Sequence, residues 1–152
     1  MIFTSSNVDL NVDLKDKTAL LKHVANMAES LNITDSMKDL YDSFVEREKE
    51  YSTGLEDGFA IPHAKSICVN KVSIIYVRLK NPIEWKTYDD KPVTDVFALM
   101  VPPENAGNDH LKILAKLSIA LLEDEFKINL RKMSSEQEVA EFISKEIGVQ
   151  DL

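Results

Sequence analysis

Residues 93 to 101, Val-Thr-Asp-Val-Phe-Ala-Leu-Met-Val, are almost continuously apolar, and that run narrows the choice of fold more than any other. A strand with one buried face alternates apolar and polar side chains. A run without alternation needs cover on both faces. Pro102-Pro103 ends it, since proline has no N–H to offer a ladder. A second strand, Val72 to Leu79, is rich in β-branched and aromatic residues and is expected to stop at Asn81-Pro82. Residues 85–91 read as a loop, with Tyr88-Asp-Asp-Lys91 as its turn chemistry.

Cover on two faces requires helices, and the flanking sequence supplies them. Val8, Leu10, Val12 and Leu14 alternate with polar residues, as in a half-exposed strand at or near a sheet edge. From about Asp16 the period lengthens: Leu20, Val24, Met27, Ala28 and Leu31 share one helical face, and Asn32 ends it. Thr34 or Asp35 is placed to cap a second helix that buries Met37, Leu40, Tyr41, Phe44 and Val45. The far end of that helix, Glu46-Arg-Glu-Lys-Glu50, reads for most of its members as a solvated charge run.

After the two prolines, Asn108 or Asp109 suits a cap for a helix with the stripe Leu111, Leu114, Ala115, Ser118, Leu121 and Leu122. A short helical piece holds Phe126 and Leu130. The last helix opens on Ser135-Glu-Gln-Glu138, a capping-box pattern, and buries Val139, Phe142, Ile143 and Ile147. With no repeat, linker or low-complexity stretch, residues 1–152 read as one domain. The class is α/β: a single mixed β-sheet flanked by helices on both faces, a three-layer α/β/α sandwich. Two consecutive strands between residues 72 and 101 argue against an all-parallel sheet.

Charge and cysteine content restrict the function. A formal charge of −8 argues against sequence-independent nucleic-acid binding, which requires basic surface. Cys68 is alone, so no intrachain disulfide forms and a reducing, cytoplasmic setting is favoured. No stretch resembles a signal peptide or is long and apolar enough for direct membrane insertion.

The segment Thr53-Gly-Leu-Glu-Asp-Gly-Phe-Ala-Ile-Pro-His-Ala-Lys-Ser66 holds two of the four glycines and places a proline directly before His63. It reads as a stiff turn, seated by Phe59-Ala60-Ile61, that presents one imidazole at a sheet end. His63 is then either an exposed loop histidine or a functional one. His23, beside the first helical stripe, reads as a structural or surface residue. His110 falls in the first turn of the third helix, near unpaired N–H groups and the positive dipole end, where anions bind and a neutral ring is favoured. Two histidines so placed suggest an anion site.

Metal-ligand spacings such as H-x-x-x-H or C-x-x-C are absent, as are G-x-S-x-G, a Walker loop and a dinucleotide fingerprint; no metal or cofactor is expected. What remains is histidine as a nucleophile towards phosphorus, with a guanidinium to bind phosphoryl oxygens in pairs. Arg47 is either that cation or one more solvated charge. The residues leave both open.

The residues Glu46-Arg47, Ser52-Thr-Gly54 and Gly58-Phe-Ala-Ile-Pro-His63-Ala-Lys65 resemble the enzyme IIA domains of the fructose/mannitol type in the sugar phosphotransferase system. The resemblance continues through Pro82-Ile-Glu-Trp85, Pro92-Val93, Phe97 to Val101, His110-Leu-Lys-Ile-Leu-Ala-Lys-Leu117 and Phe126. It spans nearly the whole chain and is nearest to the fructose branch. The resemblance implies that His63 accepts the phosphoryl group, that His110 supports it, and that Arg47 binds its oxygens. It implies HPr as donor and, as separate chains, a IIB component as acceptor and a membrane IIC permease beyond it.

Phe59 and Ala64 replace the family's usual Ile and Gly, and Ala64 implies a position not restricted to positive φ. Lys65 is assigned to the docking rim, and Cys68 to a small buried hydrophobe rather than a phosphocysteine. Two other readings stand beside the sugar carrier: a regulatory IIA-like protein of the nitrogen-related branch, and a IIA-like sensor module of a transcriptional regulator.

Overall fold

The computed structural model describes residues 2–103 and 108–148, the first three of the second stretch by their backbone alone. A 3-10 turn at Ser5–Asn7 leads into β1 (Val8–Val12), α1 (Lys17–Ser30) and α2 (Met37–Glu50). Then come β2 (Phe59–Ala60), β3 (His63–Lys65), β4 (Ser73–Ile83) and β5 (Val93–Val101). Three helices close the chain: α3 (Asn108–Ala120), α4 (Asp124–Lys132) and α5 (Glu136–Ile147).

The sheet order is β1-β4-β5-β2, with β3 also on β5. The β4–β5 pair is antiparallel, while β1 runs parallel to β4, and β2 and β3 parallel to β5. The sheet is therefore mixed, as expected. β5 is the interior strand its composition requires. Its side chains divide between two cores: Val96, Ala98 and Met100 pack with α1 and α2, while Phe97, Leu99 and Val101 pack with α3, α4 and α5. Each large apolar side chain taken fully out of water here contributes about 1.5–3 kcal/mol, which explains why the run carries so few polar residues.

Helix ends follow local chemistry. Asp16 caps α1 through a bond from Ala19 N (2.8 Å), and Asn32 follows that helix with φ 60°, the left-handed conformation asparagine tolerates. Ser135 caps α5 through Glu138 N (3.2 Å), and Gly148 ends it at φ 66°. The cap of α2 is neither Thr34 nor Asp35 but Ser36, which accepts from Asp39 N (3.2 Å). Thr34 is occupied elsewhere: its hydroxyl bonds Cys68 O (2.7 Å), and its backbone forms an isolated bridge with Val69. The caps expected of Asn108 and Asp109 concern side chains outside the described ones.

Four further expectations are corrected. Val8, Leu10, Val12 and Leu14 do not share a face. Asn11 sits at φ 56° where the β1–β4 register shifts, so Val8 and Leu10 face α5 while Val12 and Leu14 face α1. β4 does not stop at Asn81-Pro82; it continues to Ile83, which pairs with Val93 across a second irregularity that accommodates the proline. The buried residues of α3 and the turn after it are Ile113, Leu117 and Leu121, leaving Leu111 and Leu122 exposed. Finally, the segment 53–66 is no simple turn, because it contains both β2 and β3.

Candidate active site

The 53–66 segment runs along the free side of β5 as two short parallel strands interrupted at Ile61-Pro62. Phe59 and Ala60 pair with Asp95 and Val96; His63, Ala64 and Lys65 pair with Leu99, Met100 and Val101. Pro62 stands at the interruption, where its missing N–H costs nothing, and its carbonyl accepts Leu99 N (2.9 Å). Ala64 turns into the α1–α2 core, and as a strand residue it has no positive φ, as its identity implied. His63 is half-buried and Lys65 exposed on the same strand.

Two turn residues give the segment its shape for different reasons. Gly58 takes φ 83°, following Asp57 at φ 57°. Gly54 has no positive φ; it is there because a Cβ would come 2.2 Å from the carbonyl oxygen of Lys86.

A cleft of about 390 Å³ opens at this sheet edge. β3 contributes His63, Ala64 and Lys65, and β5 contributes Leu99 and Val101 to its floor. Ser43, Glu46, Arg47 and Glu50 come from α2 in one layer, and Leu114 from α3 in the other. Thus His63 and Arg47, expected together, line one cavity. Backbone geometry puts His110 in the first turn of α3, while its ring lies outside the described side chains. His23 does not line the cleft and bonds Asp9 Oδ2 (2.7 Å), tying α1 to β1, which favours the structural of its two expected roles.

Arg47 is half-buried and has partners of its own. Its Nη1 donates to Tyr51 O (2.9 Å), and its guanidinium carbon lies 4.4 Å from the centre of the Tyr51 ring. Glu48 is not solvated. Its carboxylate accepts from Thr53 N (2.7 Å), Thr53 Oγ1 (2.8 Å) and Trp85 Nε1 (3.2 Å), and its side chain is only 7% exposed. Glu48 therefore anchors the chain leaving α2 while Arg47, on the next face, stays at the cleft. The spacing of Ser43, Glu46, Arg47 and Glu50 at intervals of three and four residues is the signal that they share a side. The charge composition of the run obscured it.

A second set of polar residues, unforeseen from the sequence, fixes the turn that precedes β2. Asp95, 1% exposed, accepts from Arg131 Nε (3.0 Å), Thr94 Oγ1 (2.6 Å) and the Tyr76 hydroxyl. Burial foremost, then the neighbouring Asp95 charge, pushes the Tyr76 phenol well above its ordinary range, so it remains a donor. Arg131 also donates to Asp57 O and lies over the Phe59 ring at 4.3 Å. Lys127, buried, bonds the Asp57 carboxylate, and Asp89 accepts Asp57 N (2.9 Å).

The hydrogen bond from Lys127 holds the Asp57 carboxyl below its ordinary value. A depressed folded-state pKa contributes stability above the unfolded value of about 4, lost as pH falls through the lower folded value. Melting curves taken between about pH 5 and pH 2 are accordingly expected to fall less steeply for Asp57→Asn than for the parent. Parallel curves would show that the carboxylate is not coupled to folding.

Among the described residues no group of three or more His, Cys, Asp or Glu is arranged to hold a metal ion, and no helix is long and apolar enough to cross a membrane.

Residues 1–146 match the family model described as phosphoenolpyruvate-dependent sugar phosphotransferase system, EIIA 2. The fructose-like EIIA component of Escherichia coli is 33% identical over 138 residues, covering 90% of this chain and 92% of that protein. A nitrogen regulatory protein of Bradyrhizobium diazoefficiens is 33% identical over 123 residues, 81% of this chain and 78% of the relative. The fructose-specific EIIABC component of Bacillus subtilis is 27% identical over 95% of this chain, which spans only 22% of that longer protein.

Among solved structures, the nitrogen regulatory protein IIA-Ntr of Neisseria meningitidis superposes with a TM-score of 0.85 at 31% identity, covering 91% of this chain and 94% of the other. The IIA of the Escherichia coli mannitol system, solved in complex with its phosphorylated IIB, shares the fold at 13% identity, with a TM-score of 0.71 over 98% and 99% of the two chains. The open mixed sheet between two helical layers is the α/β fold of those proteins. By that fold and by the match over residues 1–146, the chain belongs to the EIIA 2 family of the phosphoenolpyruvate-dependent sugar phosphotransferase system, as a phosphotransfer component.

Proposed function

We propose that the chain is a cytoplasmic phosphoryl carrier in which His63 takes a phosphoryl group from phosphorylated HPr and passes it to a IIB component for fructose-type sugar uptake. The observation that carries this reading is the convergence of His63 and Arg47 on one cleft from different layers of the fold. A ring nitrogen of His63 attacks phosphorus as the donor's P–N bond breaks; the new phosphoramidate is later cleaved by a thiolate of IIB, and His63 recovers its lone pair. The loose transition state puts charge on three equatorial oxygens; in this reading Arg47 binds them and the first turn of α3, with His110, supports them. The IIB partner of the mannitol relative supports the choice of acceptor, and the fructose-type relatives support the choice of sugar branch. A membrane IIC permease stands beyond IIB in this scheme.

A second reading is kept because a nitrogen regulatory protein matches at the same 33% identity over a shorter stretch, and another superposes with a TM-score of 0.85. In it, the same phosphohistidine signals to other proteins rather than to a sugar permease. The resemblance of residues 82–126 to the fructose branch favours the first. Addition of phosphorylated HPr and then a fructose-type IIB separates them: a carrier loads and discharges, whereas a regulator loads and stays loaded.

Arg47→Ala is expected to slow loading by about a hundredfold or more, the usual cost of losing one donor to developing charge. Its melting temperature is expected to hold. A large drop in stability would assign Arg47 to the fold.

A further inference from the structure

We propose that Tyr51 is a positioning residue for phosphoryl transfer: its carbonyl and ring together hold the Arg47 guanidinium at the mouth of the His63 cleft. This deepens the phosphocarrier reading and rests on it.

Tyr51 is the first residue after α2, and there the backbone leaves the helix abruptly, at φ −167° and ψ 156°. That exit brings the Tyr51 carbonyl to Arg47 Nη1 at 2.9 Å and sets the ring 4.4 Å from the guanidinium carbon. Tyr51 is 69% exposed, so burial in a core does not account for the place of its ring. Its contact is with the cation. A guanidinium has five N–H donors, and the bond to Tyr51 O engages one of them. The remainder of the fork is left for phosphoryl oxygens.

An arginine held in this way has given up its side-chain freedom before the phosphoryl group arrives, so less ordering remains for the transition state. The holder is itself held. Glu48 fixes Thr53 N at 2.7 Å, and the Ser52 hydroxyl donates to Lys86 O at 2.6 Å, so the chain on either side of the exit has one path.

The contact with the carbonyl survives any substitution, whereas the ring contact survives only an aromatic one. Loading rates from phosphorylated HPr are to be measured for the wild type, Tyr51→Phe, Tyr51→Ala, Arg47→Ala and the Tyr51→Ala/Arg47→Ala double variant. Tyr51→Ala is expected to lose about two- to five-fold in rate, the worth of one exposed cation–π contact, and Tyr51→Phe to restore most of it. In the Arg47→Ala background, Tyr51→Ala is expected to do nothing more, since its effect passes through Arg47.

Proton NMR supplies a readout independent of turnover: Arg47 side-chain protons shifted by the ring current in the wild type and in Tyr51→Phe, and unshifted in Tyr51→Ala. Equal rates for wild type and Tyr51→Ala overturn the proposal. So does a Tyr51→Ala effect that persists without Arg47, which would make the ring a donor contact. A wild type that accepts no phosphate overturns the phosphocarrier reading, and this inference with it; slow loading by Arg47→Ala beside a fast wild type shows that reading intact while Tyr51 is judged alone.

Discussion

His63→Ala is expected to abolish the uptake of acid-labile phosphate while leaving the fold in place. The acceptor in the proposed reaction is a ring nitrogen, and among the described lining side chains only His63 carries an imidazole. A phosphorylated Ser43 would be an acid-stable ester; phosphohistidine is a phosphoramidate, lost in acid and kept in base. Incubation with phosphorylated HPr followed by acid and alkali treatment therefore reads the chemistry as well as the extent.

Removal of a covalent nucleophile costs orders of magnitude rather than a graded slowing. β3 is held through its backbone: Leu99 N bonds Pro62 O (2.9 Å), Ser66 N bonds Val101 O (3.1 Å), and Ala64 is buried beneath. Truncation of this half-buried side chain is expected to change stability by about 1 kcal/mol, or roughly 2–4 °C in melting temperature for a chain of this size. Acid-labile phosphate on the alanine variant would mean that the acceptor is another residue.

The parts of the fold legible in the sequence are those set by periodicity and by strong punctuation. The run at 93–101 required an interior strand, and β5 is one; Asp16, Asn32 and Ser135 end or begin helices as their chemistry dictates. The parts that were not legible depend on a partner far along the chain. β2 has two residues and β3 three, too short to show a period, and they exist because β5 offers a free edge. Asn11 looks like one polar residue in an alternation, and only its φ of 56° transfers the rest of the strand to the other face. In α3, seven apolar positions in thirteen residues permit more than one stripe, and packing on α5 selects Ile113 and Leu117, with Leu121 just beyond the helix.

The cleft divides in the same way. His63 and Arg47, which line it, are singled out by local pattern and resemblance. Tyr51 and Glu48 act through a carbonyl, a ring and a buried carboxylate, whose partners no local pattern names.

Asp95→Ala is the substitution expected to cost the fold most. Asp95 interrupts the apolar run of β5 on its α4 side, at 1% exposure, and its tolerance there depends entirely on partners. Arg131 reaches it from α4, Thr94 from the next position, and Tyr76 and Arg78 from β4, with Arg78 Nε at 3.8 Å. Loss of the carboxylate leaves a buried phenol without its acceptor and two guanidiniums without their counter-charge. Removing one member of such a buried set costs about 3–5 kcal/mol, more than the pair itself contributes, because the partners remain desolvated.

At about 2–4 °C per kcal/mol for a chain of this length, the melting temperature should fall by roughly 6–20 °C. Some of the cost is recoverable by adding Tyr76→Phe, which deletes the orphaned hydroxyl; the double variant is expected to melt above Asp95→Ala. The consequences also reach the cleft. Arg131 holds Asp57 O, and Arg78 donates to Leu130 O (2.8 Å) and Met133 O (2.6 Å) at the end of α4, so the same charges set that helix against the turn preceding β2. Asp95→Ala is therefore expected to slow His63 loading even well below its melting point, whereas an unchanged rate at low temperature would confine the network to stability.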